Sequence, residues 1–262
     1  MTQPKARPYH EIILKLIEEH VPAGGRVLDA GCGPGAVSAR LAEMGYTVEA
    51  VDQAPLPEME AVAERYPNVQ YSIVDICRKP LPFPPGSFDA VVFVEVMEHL
   101  ANPWAFIGAA SGLLAEGGCL FLSIPNYWSL KYRIRYLLTG NIQRPFKAAP
   151  AELEAFRSGF LPHVNAIPWP VLRYALEAHA LEVCHGPFPE KMYPLYRALV
   201  HLPFVLFVRG AQFFSSSKRK SKYALDQTNR LSILLGGPHA MIVARKSKPI
   251  PRSGVARINF RR

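Results

Sequence analysis

The chain is predicted to adopt an α/β fold, a parallel sheet covered by helices on both faces. Three observations carry this expectation. Short apolar runs bounded by glycine, proline or acid recur through the first half of the chain, stretches of helical periodicity separate them, and a glycine-rich turn joins the first run to the helix that follows. Strands that alternate with helices pair in parallel through crossovers, and each crossover lays a helix on one face of the sheet.

The N-terminal MTQPKARPYHEIILKLIEEH reads as an amphipathic helix after a short polar lead. It has no charged head leading into a long apolar run, so secretion is not expected. Strands are expected at 26–30, 47–51, 69–74, 89–94 and 118–124, with helices at Ala36–Met44, near Met59–Tyr66 and at Pro103–Leu114. In the last helix Phe106, Ile107, Ala110, Leu113 and Leu114 share one face, and the Gly117-Gly118 pair after it is expected to terminate it in the left-handed conformation. Residues 1–126 form the expected ligand-binding core, with the ligand at the carboxyl ends of the strands near the switch in strand order. Residues 127–160, aromatic, basic and broken by Pro145 and Pro150, read as an inserted cap. Residues 161–245 complete the sheet through a helix at Pro170–Ala180, a strand at Leu181–Cys184 and a final strand at Ala240–Ala244, and 246–262 reads as a disordered tail.

The most informative segment is VLDAGCGPGAVSARLAEMGYTVEAVD, residues 27–52. A strand runs through Asp29 into Gly31, Cys32, Gly33 and Gly35 and then into a helix. Glycines at such a turn let a ligand lie directly against the backbone. Asp52, at the end of the next strand, can accept both hydroxyls of a ribose. A glycine turn alone is weak evidence, because dinucleotide enzymes use one too. Here the spacing is GxGxG without a phosphate-cradling GxxG, and an acid precedes the first glycine by two residues. That acid would repel a pyrophosphate and suits a ligand that carries an ammonium and a sulfonium.

Residues 27–35 with Asp52 resemble the cofactor loop of class I S-adenosylmethionine-dependent methyltransferases. LPFPPGSFDAVVFVEVMEHLANP at 81–103 resembles that family's fourth strand and the loop after it, LLAEGGCLFLSIPN at 113–126 its glycine turn and fifth strand, and HVNAIPWPVLRYALEAHALEV at 163–183 the segment leading into the sixth strand in ubiquinone-type O-methyltransferases and their relatives. Where those relatives usually carry Gly-Phe, this chain has Ala180-Leu181. The resemblance implies a Rossmann-like class I methyltransferase sheet and S-adenosyl-L-methionine as cofactor. It also implies cofactor contacts from Asp29, Gly31, Cys32, Gly33, Gly35, Asp52, Gln53, Asp75, Ile76 and Glu95, with Asp75 on the adenine amino group and Ile76 against its ring.

Methyl transfer to a hydroxyl needs the acceptor held in line with the sulfonium and a base for its proton. His99, just after the fourth strand, is the candidate base; the competing role for Glu98 and His99 is to cap the next helix and brace the loop. Glu95, Glu98 and His99 also have the chemistry of a divalent-metal site, but Glu95 more simply faces the cofactor, and no metal is assigned. Tyr127, Tyr132, His163 and Trp169 are candidates to line the acceptor pocket.

Charge divides the chain. Residues 1–125 carry 8 Lys and Arg against 15 Asp and Glu, and residues 126–262 carry 22 against 6, so a net charge of +9 conceals a basic second half. Such a half calls for an anionic neighbour or a well-solvated surface. Residues 192–214 are strongly apolar, with Arg197, His201, Arg209 and Gln212 on one helical face at about 100° per residue, and SSSKRKSK follows at 215–222. Two readings stand, a helix lying on an anionic membrane and a lid on the domain's own core. The four cysteines, at 32, 77, 119 and 184, form no CxxC pair, which fits a reducing cytoplasm and no disulfide framework. The leading expectation is therefore a cytoplasmic methyltransferase, attached or not to the inner face of a membrane, acting at oxygen on a small or lipid-linked acceptor. The alternatives are RNA methylation, disfavoured because VEVMEHL replaces a base-methylation motif after the fourth strand, a non-catalytic scaffold of the same fold, and a nicotinamide dehydrogenase.

Overall fold

The computed structural model describes residues 6–76, 81–142, 163–192, 202–207, 210 and 230–247. Seven strands form one sheet in the order β3-β2-β1-β4-β5-β7-β6: β1 Arg26–Ala30, β2 Thr47–Asp52, β3 Val69–Ile73, β4 Phe88–Val94, β5 Leu114–Pro125, β6 Leu181–Pro189 and β7 His239–Lys246. The first five pair in parallel, while β7 runs antiparallel to both β5 and β6. The longer helices are α1 Pro8–His20, α2 Ala36–Glu43, α3 Pro57–Arg65, α4 Pro103–Leu113, α5 Leu130–Thr139 and α6 Trp169–Ala178.

Side-chain alternation along the strands sends the core to both faces of the sheet. Leu28, Val91, Phe93, Leu120 and Leu122 pack with Phe106 and Ile107 of α4 and with Trp169, Leu172 and Leu176 of α6. Their neighbours Val27, Ala90, Val92 and Phe121 pack with Ile13 and Ile17 of α1, Leu41 of α2 and Met59 of α3. The runs read as continuously apolar because a parallel sheet is buried on both sides.

The chain leaves β1 towards β2 and later crosses back to place β4 on the other side of β1. The loops after β1 and β4 therefore diverge from neighbouring strand ends, the crevice where open α/β sheets bind ligands.

The expected strands and helices appear within a few residues of their expected bounds, with informative differences. α4 ends at Leu113 and passes directly into β5, so Gly117, at φ 79°, bends a strand instead of capping a helix. The cause is pairing: Leu114 opposite Phe88 joins the ladder before the turn, and Cys119 opposite Ala90 resumes it after a register shift. β6 runs to Pro189, beyond the expected Cys184, because β7 offers partners up to Ala240. The expected cap contains α5, and its remainder from 143 on lies outside the described residues. Of the apolar segment 192–214, residues 202–207 are helical. Residues 193–201, 208–209 and 211–229, which include Arg197, His201, Arg209, Gln212 and the 215–222 run, lie outside the described residues, as do Cys77 and 248–262.

Candidate active site

The turn between β1 and α2 is built on backbone hydrogen bonds to the neighbouring strand. Gly31 and Cys32 both donate their N–H to the Val51 carbonyl, at 2.8 and 3.1 Å, and Gly35 donates to the Cys32 carbonyl at 3.0 Å. Gly31, Gly33 and Gly35 adopt φ of 77°, 50° and 86°, the left-handed region that costs other residues about 1–2 kcal/mol each. Asp52 ends β2 and accepts from Gly33 N at 2.9 Å and from Gln53 N at 2.7 Å, which fixes the carboxylate beside the turn. Asp29 lies beneath the turn, 2% exposed, with Ser38 Oγ donating to its Oδ2 at 2.6 Å. Burial pushes the Asp29 carboxyl up to about 6, against the pull of the Ser38 hydrogen bond. Cys32 is buried, which raises its thiol far above the usual range and leaves it a packing residue. Asp75 and Ile76 follow β3, and Ile76 packs against the core on the α4 face.

Across the crevice, β4 delivers Glu95, Glu98 and His99. Glu95 takes φ 57°, uncommon for a residue with a β-carbon, and accepts from Ser123 Oγ on β5 at 2.7 Å. Met97–His99 forms one 3-10 turn. Glu98 is fully buried, and neither carboxylate oxygen has a hydrogen-bond partner among the described residues. Burial and the neighbouring Glu95 carboxylate hold the Glu98 carboxyl well above the ordinary range. Helix α4 is capped by Asn102, which accepts from Ala105 N at 3.1 Å, so the capping role considered for Glu98 and His99 belongs to Asn102.

The segment before α6 folds back over this turn. Val164 N and Asn165 N both donate to the Glu98 carbonyl, at 3.0 and 3.2 Å. This sets the His163 ring edge-on to His99 at 4.8 Å between centroids. Tyr127 Oη lies 3.3 Å from His163 Nδ1, and the Tyr132 ring packs edge-on to Tyr127 at 5.2 Å. His99, His163, Tyr127 and Tyr132 therefore form one cluster. Burial, with His99 and His239 nearby, lowers the His163 pKa and favours its neutral imidazole. Trp169 is the exception among the pocket candidates. It is fully buried and packs edge-on to Trp128 at 5.6 Å, so its ring fills the core and does not face an acceptor. Donor atoms of Glu98, His99 and His163 lie within 4.8 Å of one another, a grouping in which His163 replaces Glu95 of the sequence-derived set.

Sequence reasoning missed four contributors. Ser38 and Ser123 steady Asp29 and Glu95. His239 and Glu190 complete a line of ionisable groups beside Glu95, with His239 Nε2 at 3.5 Å from Glu95 Oε2 and Nδ1 hydrogen-bonded to Glu190. A signal existed, because a histidine that opens an antiparallel final strand lies at the carboxyl edge of its parallel neighbour.

A family model described as a methyltransferase domain matches residues 4–184. A ubiquinone biosynthesis O-methyltransferase of Xanthomonas axonopodis pv. citri is 42% identical over 112 residues, which is 40% of this chain and 45% of that protein. The enzyme of that name from Xylella fastidiosa is 36% identical over 168 residues, 57% of this chain and 67% of its own length. The chain thus spans less than half of the first relative. Among solved structures, a methyltransferase from Methanosarcina mazei superposes with a TM-score of 0.54 at 18% identity, covering 88% of this chain and 97% of that one. At that identity the likeness is one of fold.

Proposed function

The chain belongs to the methyltransferase-domain family, and on that premise we propose that it transfers the methyl group of S-adenosylmethionine to an oxygen of a small or lipid-linked acceptor. The observation that carries the reading is the glycine turn with Asp52 on one side of the switch point and the histidine–tyrosine cluster on the other. In this reading Asp52 accepts the ribose hydroxyls, Asp75 and Ile76 hold the adenine, and Glu95, Asp29 and the backbone of Gly31, Cys32, Gly33 and Gly35 line the methionine end. The sulfonium ligand has no phosphate, which agrees with acids flanking the turn.

His99 is the base of this proposal. With the cofactor bound, its sulfonium would supply the methyl group to the acceptor oxygen and leave as S-adenosylhomocysteine, and His99 would take the hydroxyl proton. Holding the two reactants in line accounts for most of the catalysis in such a displacement. His163 and Tyr127 hold the acceptor edge of the cluster, with His163 favoured as the neutral ring. The naming of the Xanthomonas and Xylella relatives as ubiquinone biosynthesis O-methyltransferases supports a phenolic, lipid-linked acceptor.

The residues also fit a divalent ion, since a fully buried carboxylate without hydrogen-bond partners stands beside two imidazoles. Glu98, His99 and His163 would hold such an ion, and a bound ion would supply Lewis acidity to an acceptor oxygen. Chelation separates the two readings, because turnover that survives it belongs to His99 as base.

The test is the His99→Ala variant. Its turnover on a phenolic acceptor should fall about 10²–10⁴-fold while S-adenosylhomocysteine affinity by calorimetry barely changes. Tighter binding of NADH than of S-adenosylhomocysteine by the wild type would overturn the cofactor assignment. Peripheral attachment of a cytoplasmic protein to an anionic membrane belongs to the same proposal. It is supported by the basic second half and by Tyr136, Leu137 and Leu138, which α5 exposes on the same helix as Lys131 and Arg135.

A further inference from the structure

Beside the glycine turn runs a line of ionisable side chains that no sequence motif announces. It begins at Glu95, whose neighbour Val96 is the surface on which Gly31 rests; a β-carbon added at Gly31 would stand 2.5 Å from Val96 Cγ2. Glu95 is thus the chain neighbour of the residue that walls the turn, and its carboxylate has two partners of its own. One of its oxygens is fixed by Ser123 Oγ at 2.7 Å, and the other lies 3.5 Å from His239 Nε2.

His239 is held more firmly than a surface histidine would be. Its Nδ1 is hydrogen-bonded to Glu190 Oε2, and the Glu190 side chain is 4% exposed. The Glu190 N–H also donates to the His239 carbonyl at 3.1 Å, so backbone and side chain pair the same two residues. The His239 ring packs at a tilt against Tyr9 from α1, at 4.3 Å between centroids. The loop before His239 is fastened to the end of β5 by Asn126, whose buried amide donates to the carbonyls of Ile233 and Gly237, both at 3.1 Å. Each ring nitrogen faces a carboxylate oxygen.

We propose that His239, anchored by Glu190 and Tyr9, is the positioning residue that holds the Glu95 carboxylate against the cofactor turn. Glu95 needs such support, because its left-handed backbone is uncommon for a residue with a β-carbon and its carboxylate is largely removed from water. The buried side chain is costly to keep charged unless it is paired. His239 supplies the pairing, Glu190 fixes the ring, and the start of β7 and the end of β6 bring the two to the carboxyl edge of the sheet. The inference rests on Glu95 as a cofactor contact, as proposed above, and adds what sets its orientation and charge.

A double-mutant cycle on S-adenosylhomocysteine affinity, read by calorimetry on the full chain, tests it. Glu95→Gln should weaken binding about tenfold and His239→Asn about three- to tenfold. The double variant should bind no more weakly than Glu95→Gln alone, because His239 acts only through Glu95. Glu190→Gln keeps an acceptor for the ring but removes its charge, and it should weaken binding in the same direction by less. A general loss of structure would lower the melting temperature of each variant and make the losses add. Additive losses, or wild-type affinity in a folded His239→Asn variant while Glu95→Gln is impaired, would overturn the positioning role alone. Wild-type affinity in Glu95→Gln would instead overturn the cofactor contact beneath it. If His239→Asn does not fold, Glu190→Gln and its cycle with Glu95→Gln decide the matter by the same criterion.

Discussion

Gly31 and Gly33 lie two residues apart in one turn, share positive φ, and exclude a side chain for different reasons. At Gly31 a β-carbon would collide with Val96, so the fold itself demands glycine. At Gly33 a β-carbon would meet nothing within 4 Å among the described residues, although Asp52 accepts from the Gly33 backbone. At Gly33 the positive φ alone favours glycine, and the open space above it leaves room for the proposed cofactor. Gly33→Ala should lower stability by about 1–2 kcal/mol, the cost of a β-carbon in the left-handed region, yet weaken S-adenosylhomocysteine binding at least tenfold. Gly31→Ala should unfold the turn and lower the melting temperature more. Thermal melts and calorimetry on the two variants separate the roles, and equal behaviour would mean that the turn has no ligand face.

Helix α1 shows how an element carries a pH dependence. His10 sits in its first turn, where Arg7 N donates to its Nδ1 at 3.3 Å and the Tyr9 ring packs edge-on at 4.6 Å. Burial, then the nearby charges of Arg7 and His239, lower the His10 pKa to about 4. Between that value and about 6.5 the unfolded chain binds the proton and the folded chain does not. Stability is thus fully present above the unfolded value and is lost as pH falls through this window. His10→Gln retains an acceptor for Arg7 N without a titrating ring. Its melting temperature should fall less than that of the wild type between pH 6.5 and 4.5. Parallel pH profiles for the two proteins would show that α1 does not carry the effect.

At the scale of the whole molecule, the basic second half also carries exposed apolar side chains. The basic second half includes α5, where Leu137 and Leu138 are 74% and 77% exposed, and the helical residues Leu206 and Phe207 are 63% and 74% exposed. No described helix is long and apolar enough to cross a membrane. Apolar insertion and headgroup attraction would act together, as stable peripheral attachment requires two weak signals. The protein should co-sediment with vesicles rich in anionic lipid, and less with neutral ones. Raising salt from 0.1 to 1 M should release it as the Debye length shrinks from about 10 to about 3 Å. Replacing Leu137 and Leu138 with serine should weaken sedimentation and leave the melting temperature nearly unchanged. Indifference of the wild type to both kinds of vesicle would leave these residues without a membrane role.

The sequence by itself determined what is local or periodic. Continuous apolar runs marked β1, β2, β4 and β5 because both faces of a parallel sheet are buried. GxGxG and Asp52 marked the glycine turn because glycine conformation and a strand-end acid lie within a single βαβ unit. What only the tertiary structure decided was long-range. His163 reaches His99 because Val164 and Asn165 donate to the Glu98 carbonyl, and His239 reaches Glu95 because β7 runs antiparallel beside β5. Trp169 looked like a pocket residue and proved to be core, since an aromatic residue at a helix start reads alike in both settings. Gly117 looked like a helix cap and proved to be a bend in β5, because ladder pairing with β4 outweighed the local rule. Local conformation is set by neighbours a few residues away and is written in the order of the residues. Which distant side chains meet is set by how sheet faces and strand edges are buried, and that is fixed only when the chain is folded.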